Sequence, residues 1–392
     1  MRDVVIVGAA RTAVGLENKS LKDVPPETLG AIVMKEAVSR SGLKDPAMIE
    51  EVFFGHCLGG SGNLARFSAL EAGLPQEIPA VSIDRQCGSG STAVHLAAAQ
   101  IMAGLGDVYL AGGAESMSRM PYIALKPQGF SRTPPTWQMA KPLAPQSIGD
   151  PPMGVTAENV AVKYGISREE QDEMAYLSQV KAEKAIKAGV FKEQIVPVVI
   201  PQKKGDPKVF DTDEGPRFGI TMQDLAKMKP IFRKDGTVTA ATSSGINDGA
   251  AAVLLAAKEK AAELGMAPLA KIVSFAAAGV DPNIMGIGPV PATQKALAKA
   301  GLTLDQIDLI EMNEAFAAQA IASCRDLGID WRDQNKFNPF GGAIALGHPI
   351  AATLCILLVK AAYELKLRND RYALITACVG GGQGVATIIE RA

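Results

Sequence analysis

The chain has 392 residues, a formal net charge of -1, and 47% apolar and 21% charged side chains. That length supplies core for two or three domains, and near-neutral charge excludes the basic field of a nucleic-acid or anionic-membrane binder. No apolar run is long enough to span a bilayer, "MRDVVIVGAARTAVG" opens as strand and glycine turn rather than a secretory leader, and "IIERA" is no peroxisomal address, so a cytoplasmic protein is expected.

"VVIVG" (4–8) reads as a buried strand. In residues 26–41, Leu29, Ile32, Val33 and Val38 share one face of a helix that Gly42 ends. "EEVFFGHC" is a second strand. A loop then carries Cys87 into "GSG", a helix runs from about Gly88 to Gly104, and "VYLAGG" is a third strand. Strands and helices alternating across short glycine turns predict an α/β protein.

After Ser116 the texture changes. Residues 119–154 are proline-rich and show no strand pattern. "SREEQDEMAYLSQVKAEKAIKAG" is a charged amphipathic helix with a capping box at Ser167 and Glu170 and a closing Gly189. Residues 203–235 are polar and loop-like. The expected organisation is a first α/β half over 1–118 and 241–268, a loop excursion over 119–240, and a second half over 269–392. Excursions of that length commonly cover a site. The second half repeats the texture of the first: "CGSGSTAVHLAAAQIMAGLGDVYLAGGAES" answers to "GHPIAATLCILLVKAAYELKLRNDRYALITACVGGGQG", each a small-residue turn, a helix, a strand and a glycine loop. This predicts a duplicated unit.

Five cysteines, Cys57, Cys87, Cys324, Cys355 and Cys378, are scattered with no C-x-x-C spacing, which argues against a disulfide framework or a zinc site. The three histidines are His56, His95 and His348. Cys87, between a strand and a helix, sits where a helix N-terminus or a histidine lowers a thiol pKa. From these residues alone, a nucleophile and a buried inert thiol are both open. His348 lies on a glycine turn before Pro349, where a base and a helix cap are both open. Cys378 ends a strand and enters "GGGQG", which lacks a P-loop lysine and full dinucleotide spacing. Asn313 and Glu314 stand where a strand passes into a helix, a place capping alone explains.

"CGSG", "GGAESMSRMP", "MGVTAEN", "SGINDGAA", "NEAFA", "GGAIALGHP" and "CVGGGQG" follow one another in the order found in thiolases, the acetyl-CoA C-acyltransferase family. The chain resembles that family over essentially its whole length. The resemblance implies two similar α/β halves stacked in five layers (α-β-α-β-α), with an inserted loop domain that binds coenzyme A. It implies Cys87 as the acylated nucleophile and His348 as its base. Cys378 would be the acid/base at the α-carbon of acetyl-CoA, its thiol poised near neutral pH. Asn313 would position a water that, with His348, holds the enolate oxygen. The backbone N–H groups of Cys87 and Gly380 would hold the acyl-enzyme oxygen. Met153, Arg217 and Ser244 match positions beside coenzyme A, and Met285, Ala315 and Phe316 match walls of the acyl and pantetheine pocket.

The implied substrates are acetyl-CoA, acetoacetyl-CoA or another 3-ketoacyl-CoA, and coenzyme A, in condensation or in thiolysis. No metal or redox cofactor, no nucleic acid and no membrane is implied, and the expected assembly is a homodimer or homotetramer. Two rival readings are a β-ketoacyl synthase-like condensing enzyme, against which the second cysteine argues, and a non-catalytic lipid carrier or scaffold, which should have lost one of Cys87, His348 and Cys378. The chain departs from the common pattern at Phe340, where Asn is usual, at Ala351-Ala352-Thr353-Leu354, where Gly-Ala-Ser-Gly is usual, and at Pro152, where His is common.

Overall fold

The computed structural model describes residues 1–59, 61–127, 134–138 and 141–392. Strand β1 (Val4–Arg11) is buried along its whole length. Helix α1 (Pro26–Ser41) starts on a proline and stops at Gly42 in the left-handed conformation, because proline presets the first helical φ and glycine accepts the reversed one. Strand β2 (Glu51–Gly55), helix α2 (Leu64–Glu71), strand β3 (Ala80–Ile83), helix α3 (Ser89–Ala103) and strand β4 (Val108–Ser116) follow. The chain then leaves the core, forms helices α4 (Met153–Tyr164) and α5 (Arg168–Lys187), and returns as the fully buried strand β5 (Asn247–Ala257).

The second half runs through β6 (Ala270–Gly279), α6 (Pro289–Ala300), β7 (Leu309–Met312), α7 (Ala317–Leu327), α8 (Thr353–Arg368), β8 (Tyr372–Val379) and β9 (Gln383–Arg391). Hydrogen bonding orders the strands β7-β8-β9-β6-β1-β5-β4-β2-β3. In the first half β2 is parallel to β3 and β4, while β5 is antiparallel to β4 and β1. In the second, β7 is parallel to β8, and β9 is antiparallel to β8 and β6. Phe337, in a parallel bridge with Ile310, takes the place that β3 has in the first half. The halves therefore share one topology, and their sheets join where Val4–Ile6 pairs with Ala270–Ile272.

Three cores set the layering. One packs α1 and α2 on the outer face of the first sheet, and another packs α6 and α7 on the outer face of the second. The middle core joins Ala93, Val94 and Ala97 of α3 and Leu354, Leu358 and Ala362 of α8 to the inner faces of both sheets. The result is five layers, α-β-α-β-α. Helix α3 is largely apolar, as a helix covered on both sides must be, whereas α8 also buries Lys360 and Glu364, with Lys360 paired to Glu311 at 2.8 Å.

The excursion holds more regular structure than its sequence pattern predicts. Ile123–Leu125 pairs with Thr136–Gln138, Val198–Ile200 pairs with Lys208–Phe210, and Met222–Ala226 forms a short helix behind a capping box at Thr221 and Asp224. Three-residue strands are too short to show alternation. The capping box of α5 forms, with Ser167 Oγ accepting from Glu170 N and Glu170 Oε2 accepting from Ser167 N. Buried Arg11 makes two hydrogen bonds to Asp213, 2.8 and 2.9 Å, which fasten the excursion to β1. Among the described residues no helix is long and apolar enough to cross a membrane.

Candidate active site

The parallel strands deliver the site. Asn313 follows β7, Cys378 lies near the end of β8, and Met312 pairs with Thr376 between them. Parallel strands place their C-terminal ends on one side of a sheet, where α/β proteins gather ligands. Cys87 follows β3 in a single 3-10 turn, Gln86–Gly88, that runs into α3.

That turn is unusual. Gln86 has φ +43°, which few non-glycine residues adopt. Its neighbours hold it there: Asp84 Oδ1 accepts from Gln86 N at 2.9 Å, and Gln86 O accepts from Ser89 Oγ at 2.7 Å and from Cys57 Sγ at 3.3 Å. The turn sets Cys87 Sγ 3.2 Å from His348 Nε2. The backbone of Gly380 and of Cys87 itself favours the thiolate form of this sulfur.

His348 is held on three sides. Its N–H donates to Asn247 Oδ1 at 2.8 Å, and Asn247 Nδ2 donates to Gly15 O at 3.0 Å. Its Nδ1 lies 2.6 Å from Thr353 Oγ1, and that hydroxyl lies 2.9 Å from Pro349 O. The Ala351 carbonyl sits against two glycines of the first half. A Cβ on Gly90 would come within 2.8 Å of this oxygen, and one on Gly113 within 2.3 Å. Ala351, Ala352, Thr353 and Leu354 behind His348, three of them departures from the usual residues, are all buried. Phe340 instead packs against the outer core of the first half.

Burial dominates the electrostatics. It pushes the Cys87 thiol up to about 11, against the N–H groups of Gly380 and Cys87 that favour the thiolate. The expectation that a helix end lowers this thiol is therefore not met, because the cost of desolvating the thiolate is the larger influence. Burial alone brings His348 down to about 4. Cys378 is also corrected: burial, then the nearby Cys87, raises its thiol well above the ordinary value rather than leaving it near neutrality. Cys87 and His348 thus rest as neutral thiol and neutral imidazole.

Cys378 shares one apolar cluster with Met285, Ala315 and Phe316, and Met153 packs against it. Phe232 from the excursion meets Phe316 edge to face, ring centres 6.0 Å apart. Ser244 joins through its N–H, which donates to Ala315 O at 2.9 Å. Arg217 stands apart: its side chain is exposed, and its backbone N–H donates to Gln179 Oε1 at 2.7 Å. Asn313 is fully buried and its N–H donates to Thr376 O, yet both side-chain polar atoms lack a protein partner. Buried amides without partners carry a desolvation cost, so this one is positioned for a water or a substrate. Gly381 and Gly382, at φ +83° and +82°, turn the chain; Gly380 and Gly381 lie against Leu143 of the excursion, and Gly382 against Val280 and Pro282.

Sequence reasoning missed Asn247, Thr353, Gln86 and Leu143. Asn247 and Thr353 read as ordinary cap and helix residues, since their partners are distant or only one turn away. The run of three glycines after Val379 announces a close approach but not Leu143 as the approaching residue.

Residues 4–259 match the thiolase N-terminal domain and residues 266–391 the thiolase C-terminal domain. The chain is 51% identical to an acetyl-CoA acetyltransferase of Syntrophomonas wolfei, over 99% of each chain. It is 51% identical to an acetyl-CoA acetyltransferase of Cupriavidus necator, over 100% of each. The crystal structure of the Bacillus anthracis acetyl-CoA acetyltransferase superposes with a TM-score of 0.93 at 44% identity, covering 100% of this chain and 99% of that one.

Proposed function

The chain belongs to the thiolase family and is an acyltransferase, and from that premise we propose that it moves acyl groups between coenzyme A thioesters through an acyl-enzyme on Cys87. The observation that carries the reading is the 3.2 Å approach of His348 Nε2 to Cys87 Sγ.

Because the thiol and the imidazole both rest neutral, the S–H proton passes to His348 Nε2 as the sulfur attacks the thioester carbonyl. The oxygen of the tetrahedral intermediate takes the N–H groups of Cys87 and Gly380. His348 then returns the proton to the departing coenzyme A sulfur, leaving acyl-Cys87 and neutral imidazole. In the second half-reaction Cys378 acts as its thiolate, which burial makes the stronger base: it takes a proton from the α-carbon of acetyl-CoA and passes it to the Cys87 sulfur when that sulfur leaves, so the thiolate is regenerated. The enolate oxygen is held by His348 and by a water on the Asn313 amide. The enolate carbon attacks acyl-Cys87, the carbon–carbon bond forms, and the Cys87 thiolate leaves. Thiolysis is the same path reversed. The thioester itself activates both carbons, so the path calls for no metal or redox cofactor.

The apolar cluster of Met153, Met285, Ala315 and Phe316 beside Cys378 supports an acyl and pantetheine wall there. Arg217 is the proposed contact farthest from support, since its guanidinium is exposed. Acetyl-CoA, acetoacetyl-CoA or a longer 3-ketoacyl-CoA, and coenzyme A are the proposed substrates of a cytoplasmic enzyme. The free edge of β3 and the exposed Phe67 and Leu70 of α2 support self-association as a dimer or tetramer.

The test is coenzyme A-dependent cleavage of acetoacetyl-CoA, followed by rates over a series of 3-ketoacyl chain lengths. Cleavage supports the reading, and a preference for the four-carbon substrate marks an acetyl-specific enzyme. A folded protein that binds acyl-CoA without cleaving it is a carrier. One that condenses only with a malonyl donor is a synthase.

A further inference from the structure

His348 can serve as a base toward Cys87 only if its Nε2 lone pair, not an N–H, faces the sulfur. Imidazole has two neutral tautomers, and the partner of the far nitrogen decides between them. No charged group makes that choice here, since burial is the sole influence on the His348 pKa. The partner of Nδ1 is Thr353 Oγ1 at 2.6 Å.

We propose that Thr353 is a positioning residue that selects the His348 tautomer carrying its proton on Nδ1, and so aims the Nε2 lone pair at Cys87. Two contacts support the direction of this hydrogen bond. The Thr353 hydroxyl has one proton, and Pro349 O, 2.9 Å away on the preceding turn, is placed to take it. Toward His348 the oxygen then offers a lone pair, so Nδ1–H donates. At the other end, the single S–H of Cys87 needs an acceptor. Nε2 is that acceptor at 3.2 Å. The chain Cys87 S–H, His348, Thr353 O–H, Pro349 carbonyl therefore runs in one direction, every donor meeting an acceptor.

Thr353 is one of the departures from the common family pattern, with threonine in place of serine. Both supply a hydroxyl. Threonine adds a methyl group that limits χ1, in a side chain that is buried, and so restricts the swing of the oxygen away from Nδ1. The Asn247 contact fixes the backbone of His348 but says nothing of its tautomer. Among the described residues, Thr353 Oγ1 is the hydrogen-bond partner of Nδ1.

This inference rests on His348 being the base for Cys87, and its test separates the two. The reaction of Cys87 with iodoacetamide is followed against pH in wild type, His348→Asn, Thr353→Val and Thr353→Ser, beside kcat and KM for acetoacetyl-CoA thiolysis. Thr353→Val keeps the shape and removes the acceptor. It should slow alkylation near neutral pH and lower kcat by about 10- to 100-fold, the scale on which losing the outer partner of a functional histidine acts, with KM little changed. Thr353→Ser should restore most of the rate. Thr353→Ala, which cannot overpack, gives the same readout if the valine variant does not fold. If His348→Asn slows alkylation but Thr353→Val and Thr353→Ala keep the wild-type pH profile and kcat, the positioning role is overturned. If His348→Asn itself leaves the alkylation profile unchanged, the base role fails and this inference with it.

Discussion

His348 Nε2 lies 3.2 Å from Cys87 Sγ across 261 residues of chain, and the two belong to different halves of a duplicated fold. The pair exists only because α3 and α8 meet in the middle layer, each following a loop that carries one member. The interface is set by backbone as much as by side chains. The Ala351 carbonyl, three residues after His348, rests where Gly90 and Gly113 leave no Cβ.

Gly113→Ala should therefore damage stability and chemistry together. The new methyl would stand 2.3 Å from the Ala351 oxygen, so the loop bearing His348 must shift. A cost of about 1–3 kcal/mol is typical for such overpacking. Urea unfolding should show a lower midpoint, and thiolysis should fall in the fraction that remains folded. An unchanged midpoint with full activity would mean that the two halves do not meet as described.

Cys87 should be the most reactive of the five cysteines toward iodoacetamide near pH 8. Burial raises every thiol, but Cys57, Cys324, Cys355 and Cys378 are buried, while Cys87 remains partly accessible to the reagent and lies against His348. Prior acetyl-CoA should protect it by acylation. Peptide mapping that finds Cys57 labelled as fast as Cys87, with no protection, would remove Cys87 from the nucleophile's role.

The stability of the fold should fall in mild acid for a reason remote from the active carbons. His95 is buried in α3, its Nε2 2.7 Å from Thr387 Oγ1, and burial lowers its pKa to about 3. An unfolded histidine titrates near ~6.5. Between these values the unfolded chain holds a proton that the folded chain lacks. The neutral His95 therefore contributes stability that is complete above ~6.5 and declines as pH falls toward about 3. At pH 5 this group alone adds a slope of ~1.4 kcal/mol per pH unit. His95→Gln should flatten the unfolding free energy against pH by about that slope. An unaltered slope in the variant would show that His95 is solvated and titrates normally.

Much of this was readable before the fold was known. Strands such as β1 and β4 show as apolar runs between glycine turns, and the turn, helix, strand and glycine loop of each half betray the duplication. Cys87, His348 and Cys378 stand out because each falls where a strand or loop meets a glycine-rich turn. The pKa of Cys87 was not readable. A helix end and a histidine argue for a low value, and only the enclosed environment shows that desolvation outweighs them. Thr353 and Asn247 were also hidden. Local sequence offers each an adequate role as helix residue or cap, and their contacts with His348 exist only after loops from both halves converge. The short hairpins of the excursion escaped because three residues cannot display a period.

The division of labour between the two cysteines is the centre of the account, and Cys378→Ser tests it most directly. Serine keeps the size of the side chain but ionises far less readily than a thiol. Two quantities are measured on the same folded variant: acetoacetyl-CoA thiolysis, and mass-spectrometric detection of acetyl on Cys87 after incubation with acetyl-CoA. Acylation requires no proton to leave carbon, so acetyl-Cys87 should still accumulate while thiolysis falls by at least ~100-fold. Thiolysis at a near-normal rate, or loss of acylation together with thiolysis, would contradict the assignment of Cys378 to proton transfer at carbon.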